Sequence, residues 1–206
     1  MNLKERFSEN CFLFTEDKSL VEGLWSDIEK KYTEKGRHYH NLGHLEHMFA
    51  ELDAVRNKIG NFTTISFSVF YHDVIYEATS KANEEKSAEF AASALRKLNI
   101  PHDAIERICN QITATKSHQK SDDPDTNYLL DADLSILGKD HETYIEYTRK
   151  IRKEYSIYPD LLYNPGRKKV LNHFLALESI FKSEDFRVQY EGKARENITN
   201  ELKGFH

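Results

Sequence analysis

The sequence predicts an all-α protein of about eight helices folded as one domain. Apolar residues recur at three- and four-residue spacing almost throughout the chain, as they do on the buried face of an amphipathic helix. Only four prolines and eight glycines interrupt the 206 residues, and no alternating stretch is long enough to indicate a sheet. A chain of this length supports one well-buried core and is short for two. We therefore expect residues 1–206 to form a single helical domain.

The first half of the chain carries three predicted helices. Residues 12–32 and 40–58 each have an apolar stripe at helical spacing, and a break at Gly36 separates them. Gly60 ends the second segment. Residues 65–76 are apolar on nearly all sides, so we expect them to form the central buried helix.

The later helices have recognisable starts. Asn83 is expected to be an N-cap, and the acidic residues Glu84 and Glu85 then lie in the first turn, at the positive end of the helix dipole. Pro101 begins the next helix. A polar loop follows at residues 117–125. The predicted helical segments of this half are residues 87–98, 101–116, 127–137, 142–155, 166–181 and 186–202.

Composition excludes several classes of function. The formal net charge is −5, so no overall positive field favours a nucleic-acid polymer. The longest apolar-rich stretch, residues 65–76, is too short to span a bilayer, and we expect no membrane partner. Two cysteines without a CxxC pair are typical of a reducing compartment. These features predict a cytoplasmic protein, and they do not predict its oligomeric state.

Histidines are strongly clustered. Four of the ten lie within ten residues, at His38, His40, His44 and His47. On a helix, residues four apart share a face, so two of these imidazoles can approach one ion or one substrate. A solvated polar face that carries several histidines by chance explains the cluster equally well.

The pair His72-Asp73 favours the first interpretation. It stands near the end of the most apolar predicted helix. A carboxylate in such a place is costly unless it is paired, protonated or bound to a metal. A helix end that exposes Asp73 to water is the alternative, and an isolated His-Asp pair is common by chance.

Asp133 is the third element of the pattern. Because a helix repeats every 3.6 residues, its neighbours three and four positions away share its face, and all four are apolar: Leu129, Leu130, Ile136 and Leu137. No Lys or Arg occurs between Lys120 and Lys139, so a metal ion suits this carboxylate. Asp131 lies about 200° around the helix and is expected to support the site from behind or to face solvent.

A histidine, a His-Asp pair and a core-facing Asp together make a mixed nitrogen and oxygen donor set. Such a set suits a divalent Mn, Zn, Fe, Co or Ni ion, and its carboxylates leave room for Mg at a second position. Water on such an ion has a lowered pKa and becomes a nucleophile near neutral pH. The sequence therefore predicts a hydrolytic metal site with one or two ions.

His44, His72, Asp73 and Asp133 resemble the H…HD…D signature of the HD superfamily of metal-dependent phosphohydrolases. Longer strings resemble one branch of that superfamily, whose substrate is generally unassigned. The resemblance implies that these four residues bind the metal. It also implies an HD-type helical domain with a metal-site core at about residues 37–140 and C-terminal helices, 141–206, packed on it. The matching strings are RHYHNLGH (37–44), YHDVIY (71–76), NEEKSA (83–88), LDADLSILG (130–138), IRKEY (151–155), GR (166–167) and AREN (194–197).

A more distant resemblance suggests a role for His40. The strings YHNLGH (39–44) and ADLS (132–135) are similar to strings of the cyclic-nucleotide phosphodiesterases. In that family the first histidine is the general acid toward the leaving oxygen, and the second binds metal. The resemblance thus implies that His40 donates a proton and His44 is a ligand, while Asp73 is placed to bridge two metals.

Four further residues are candidates for the same site. Glu84 is expected to orient a water or act as a base, or else only to interact with the helix dipole. Arg37 directly precedes the histidine cluster and is the best single candidate for binding phosphate. Lys116 and His118 stand where a helix meets a polar loop, from which they could bind phosphate or simply face solvent.

The predicted function is hydrolysis of a phosphoester or phosphoanhydride in a nucleotide or another small phosphorylated metabolite. One alternative is an iron-dependent oxygenase on the same scaffold. That alternative needs extra histidines between the His-Asp pair and the last Asp, and only His102 and His118 occur there. A second alternative is a sensor that binds a nucleotide without turnover.

Overall fold

The computed structural model describes residues 1–205, which contain no β-strand. The all-α prediction is confirmed, although ten α-helices replace the eight or so expected. Two short 3₁₀ helices, Arg56–Lys58 and Ser135–Gly138, interrupt the connections. The α-helices are α1 (Leu3–Phe12), α2 (Lys18–Tyr32), α3 (Leu42–Ala54), α4 (Phe62–Tyr71), α5 (Asn83–Lys97), α6 (His102–Ala114), α7 (Pro124–Leu134), α8 (His141–Glu154), α9 (Asp160–Ala176) and α10 (Glu184–Lys203).

Helix α1 is absent from the sequence-based prediction, which began at residue 12. Its N-terminus is a capping box, since the Asn2 side chain accepts from the Glu5 N–H at 2.8 Å and the Glu5 carboxylate accepts from the Asn2 N–H at 3.1 Å. Leu3, Phe7 and Cys11 recur every four residues and are buried. The stripe is only three residues long, too short to stand out from the polar residues around it.

Helix α4 is the centre of the fold, as predicted. Residues 64–71 are all buried, and the helix packs against α1, α3, α5, α6 and α7. It ends at Tyr71, five residues earlier than expected, so His72 and Asp73 follow its last turn directly. An apolar helix enclosed by five others thus delivers a polar pair into the interior.

Three local predictions are corrected by the structure. Asn83 is not an N-cap, because Ala82 holds that position while the Asn83 side chain exchanges two hydrogen bonds with the backbone of Glu77. Asp131 does not face solvent. It is fully buried and accepts hydrogen bonds from the N–H groups of Lys182 and Ser183, each at 2.7 Å.

The third corrected prediction is the start of α9, which begins at Asp160, six residues earlier than expected. Pro165 lies inside this helix, and a proline read from sequence favours a helix boundary instead. Within residues 1–205, no helix is both long and apolar enough to cross a bilayer. Both cysteines are free.

The C-terminal helices are attached to the 3₁₀ helix Ser135–Gly138, which α8 and α10 both contact. The Asn197 side chain donates to the carbonyls of Leu137 and Lys139 at 2.9 and 2.8 Å. At Gly138 an added Cβ would lie 2.5 Å from the Cβ of Tyr190 and 2.8 Å from its carbonyl oxygen. This glycine lets α10 approach the end of α7.

We expect Gly138→Ala to lower the free energy of unfolding by about 1–3 kcal/mol, because the new methyl group meets backbone that has to shift. Gly192→Ala, in an exposed part of α10 with nothing within 4 Å of the added Cβ, is the control and should raise stability by about 1 kcal/mol. Urea denaturation measures both. Equal stability of the Gly138 variant and the wild type would contradict this close approach.

Candidate metal centre

Three side chains from separate parts of the chain converge at the end of α4. His44 lies in α3, His72 follows α4, and Asp133 lies in α7. The Nε2 atoms of the two histidines are 3.2 Å apart, and Oδ1 of Asp133 is 3.2 Å from Nε2 of His44 and 3.9 Å from Nε2 of His72. One ligand atom from each lies within 4.8 Å of the others. Two imidazole nitrogens and a carboxylate oxygen fit a divalent transition ion.

Local structure orients both imidazoles. The side chain of Asn41 caps α3 by accepting from the Gly43 N–H at 2.9 Å, which fixes the first turn that carries His44. Nδ1 of His72 donates to the carbonyl of Val69 at 2.9 Å. That bond leaves Nε2 of His72 unprotonated in the neutral ring and directed at the centre, as second hydrogen bonds of metal-binding histidines do.

Asp73 lies beside this group of three. Its Oδ2 is 3.1 Å from Nε2 of His72 and 3.9 Å from Nε2 of His40. The N–H of Asp73 donates to the Tyr32 hydroxyl at 3.2 Å. The structure therefore brings the four predicted ligands together, with Asp73 between the centre and His40.

The electrostatics of the centre favour a cation. Burial raises the pKa of both carboxyl groups, but His72 beside Asp73, and His118 and His44 beside Asp133, bring these pKa values below the usual range. Burial lowers the pKa of His44. For His72, burial also disfavours the charged ring, yet the two carboxylates prevail and raise its pKa to about 9. The same field that holds a proton at His72 would bind a divalent ion.

Glu154 is a functional residue that the sequence analysis missed. Its Oε2 accepts from Nδ1 of His40 at 2.7 Å, and its Oε1 accepts from the backbone N–H groups of residues 38–40 at 2.7–2.9 Å. The carboxylate side chain is 1% exposed. A detectable signal existed, because Glu154 continues the inward-facing stripe of α8, in which Tyr144 and Ile151 are buried and Tyr147 is half-buried.

The His40 ring is held from two further directions. It stacks on Tyr76 with centroids 4.2 Å apart, and its Nε2 points toward Asp73. Burial lowers the pKa of His40, but the hydrogen bond to Glu154 and the carboxylate of Asp73 outweigh burial and raise the pKa above its ordinary value. The His40 ring is therefore held in a fixed orientation, and its charged form is favoured.

A cavity of about 380 Å³ opens over the centre, a size typical of small-molecule sites. His40, Asp73, Glu84, His118 and Asp133 line it together with side chains of α8 and α9. Its aromatic lining residues are Tyr39, Tyr76, Tyr147, Tyr155, Tyr163 and Phe174.

The predicted phosphate-binding residues have different surroundings. Arg37 is not among the lining residues of the cavity, and its guanidinium donates to the carbonyls of His40, Asp73 and Val74. Lys116 lines the cavity but is exposed and paired with Glu85. Through these hydrogen bonds Arg37 connects the backbone at His40 to the backbone at Asp73 and Val74, beside the centre. Phosphate binding by either residue stays a prediction.

His118 and Glu84 both reach the cavity. Nε2 of His118 lies 2.9 Å from Oδ2 of Asp133, so this histidine contacts a predicted ligand. Glu84, in the first turn of α5, lines the cavity as a partly buried carboxylate. His102 is exposed at the start of α6. Of the two histidines between the His72-Asp73 pair and Asp133, His118 therefore contacts a predicted ligand, and His102 is not among the lining residues of the cavity.

No family model, no curated protein and no solved structure matches this chain.

We expect Glu154→Gln to lower the pKa of His40, because the variant removes the charge that counteracts burial of the imidazolium. Histidine side-chain ¹H–¹⁵N NMR spectra recorded against pH measure this change. Glu146→Gln, an exposed position of the same helix, is the control and should leave the His40 titration unchanged. Identical titration of His40 in wild type and Glu154→Gln would contradict the role of this carboxylate.

Proposed function

We propose that the protein is a metal-dependent phosphohydrolase of the HD superfamily that acts on a nucleotide or another small phosphorylated metabolite. The observation that carries this proposal is the convergence of His44, His72 and Asp133 on one point, beside a cavity that also presents His40. The set contains ligands for a metal and a separate, oriented proton donor. Hydrolysis of a phosphoester needs both functions.

The helical architecture supports the HD-type assignment at a coarser level. His44 lies in α3, the His72-Asp73 pair follows the end of α4, and Asp133 lies in α7. Helix α4 contacts both α3 and α7. In sequence these residues are far apart, and the packing of three helices brings their side chains together. The ligand order along the chain and the helical scaffold are what the resemblance implies.

A divalent Mn, Mg, Zn, Fe, Co or Ni ion would be held by His44, His72 and Asp133, and Asp73 is available to it or to a second ion. When bound, such an ion polarises a phosphoryl oxygen and lowers the pKa of water. Residues of the chain determine which imidazole nitrogens are available to the ion. The Val69 carbonyl accepts from Nδ1 of His72, so Nε2 is the nitrogen that the neutral ring would present to the ion, and burial lowers the pKa of His44 and so favours its neutral form.

His40 is the proposed general acid. Glu154 holds its Nδ1–H, which leaves Nε2 on the side of Asp73 and the cavity. A proton on Nε2 would pass to the leaving oxygen as the phosphoester bond breaks. The raised pKa of His40 favours the protonated ring, and Asp73 stabilises its charge.

The cavity favours a substrate with an aromatic ring. Tyr147 of α8 and Tyr163 and Phe174 of α9 are among the lining residues of the cavity, and aromatic side chains stack on any nucleobase. This lining supports a nucleotide over a phosphorylated sugar. Lys116 at the cavity, with Glu84 as a base or water-orienting group, completes the proposed substrate site.

We expect purified protein to release phosphate from members of a panel of nucleotides and sugar phosphates only when Mn²⁺, Mg²⁺, Co²⁺ or Ni²⁺ is present. Asp133→Asn should abolish this release because it removes a charged ligand while keeping the size of the side chain. Asp103→Ala, which alters an exposed carboxylate of α6, is the control. Metal binding without turnover of any compound would favour a sensor or an oxygenase, and turnover by Asp133→Asn would contradict the proposed centre.

His40→Gln should reduce kcat by about a hundredfold to ten-thousandfold, the usual contribution of general acid catalysis, with metal binding retained. Initial rates at saturating substrate and calorimetric titration with Mn²⁺ measure the two quantities. His38→Gln serves as the matched control, since His38 is exposed two residues away. A rate unchanged by the His40 substitution would remove His40 from the mechanism.

A further inference from the structure

The backbone of His118 has an unusual conformation. Its φ angle is +49°, and within residues 1–205 only one other non-glycine residue, Asn99, has a positive φ. His118 lies just beyond the end of α6, where its N–H donates to the carbonyl of Ala114 at 3.1 Å. Glycine adopts the left-handed region freely, whereas asparagine, aspartate and histidine enter it only occasionally and at some cost in backbone free energy. Such strain persists where the side chain makes a contact that compensates for it.

The side chain of His118 makes one polar contact of that kind. Nε2 lies 2.9 Å from Oδ2 of Asp133, and the ring packs edge-on against Phe174 of α9. The His118 side chain is 16% exposed, so the contact is largely shielded from water. The strained residue therefore connects the loop after α6 to the helix that carries a predicted metal ligand.

The two oxygens of Asp133 have separate partners. Oδ1 faces His44 and His72, at 3.2 and 3.9 Å, and Oδ2 faces His118. A carboxylate held at one oxygen cannot rotate freely, so its other oxygen stays directed at the centre without further loss of entropy when an ion binds. Hydrogen bonds to ligating carboxylates commonly have this effect.

We infer that His118 is a positioning residue of the metal centre, which holds Oδ2 of Asp133 so that Oδ1 is presented to the ion. This inference rests on the proposed metal centre and assigns His118 a role distinct from binding phosphate. His118 lies outside the group of three ligands, and its Nε2 is engaged by Asp133. It acts through that residue.

Two substitutions test the inference without relying on activity. His118→Gly and His118→Asn both suit a positive φ, so the metal-free protein should remain folded and be at least as stable in urea. Both remove the contact to Asp133, and we expect calorimetric titration to show Mn²⁺ binding weakened about 10- to 100-fold. Asn99→Gly is the matched control, because it relieves the same backbone conformation at an exposed position and should leave Mn²⁺ affinity unchanged.

The number of imidazole ligands separates positioning from direct ligation. X-ray absorption of the Co²⁺-loaded wild type should show two imidazoles, as in Co²⁺-loaded His118→Gly. Three in the wild type but two in His118→Gly would overturn the inference, since His118 would then bind the ion itself. Unchanged Mn²⁺ affinity of both variants would overturn it and leave the proposed function intact. A wild type that binds no metal would overturn both.

Discussion

The structure depends on how two carboxylates are held inside a helical protein without a lysine or arginine partner. Among the described residues, the ion pairs of Asp73 and Asp133 are made with histidines only. An imidazole offers at most one charge, and it loses that charge readily when buried. With Glu154 beside His40, three largely buried carboxylates share these imidazoles. A divalent cation would compensate the negative charge of Asp73 and Asp133.

The helices are arranged around that constraint. The apolar helix α4 ends at Tyr71 and leaves His72 and Asp73 where α3 and α7 can reach them. Helix α8 supplies a carboxylate that orients the segment before α3. Its Glu154 fixes both the backbone of residues 38–40 and the ring of His40. The His40 ring and the carboxylate that orients it thus come from distant parts of the chain, and removal of α8 would leave this ring without that partner.

The sequence predicts the parts of this arrangement that depend on local pattern. Helical periodicity indicates nine of the ten helices, and the all-round apolar character of residues 65–76 identifies the central one. The core-facing position of Asp133 follows from its apolar neighbours. What depends on contacts between distant segments is not predictable in this way. The pairing of Glu154 with His40, the contact of His118 with Asp133 and the carbonyl partners of Arg37 all arise from loops whose course only the packing determines.

The most direct test of the account is the position of a bound ion. Crystals of the wild-type protein grown with Mn²⁺ would give an anomalous difference map at the manganese absorption edge. We predict a peak within coordination distance of Nε2 of His44, Nε2 of His72 and Oδ1 of Asp133, with Asp73 adjacent. A map with saturating Mn²⁺ and no peak among these three residues would contradict the account.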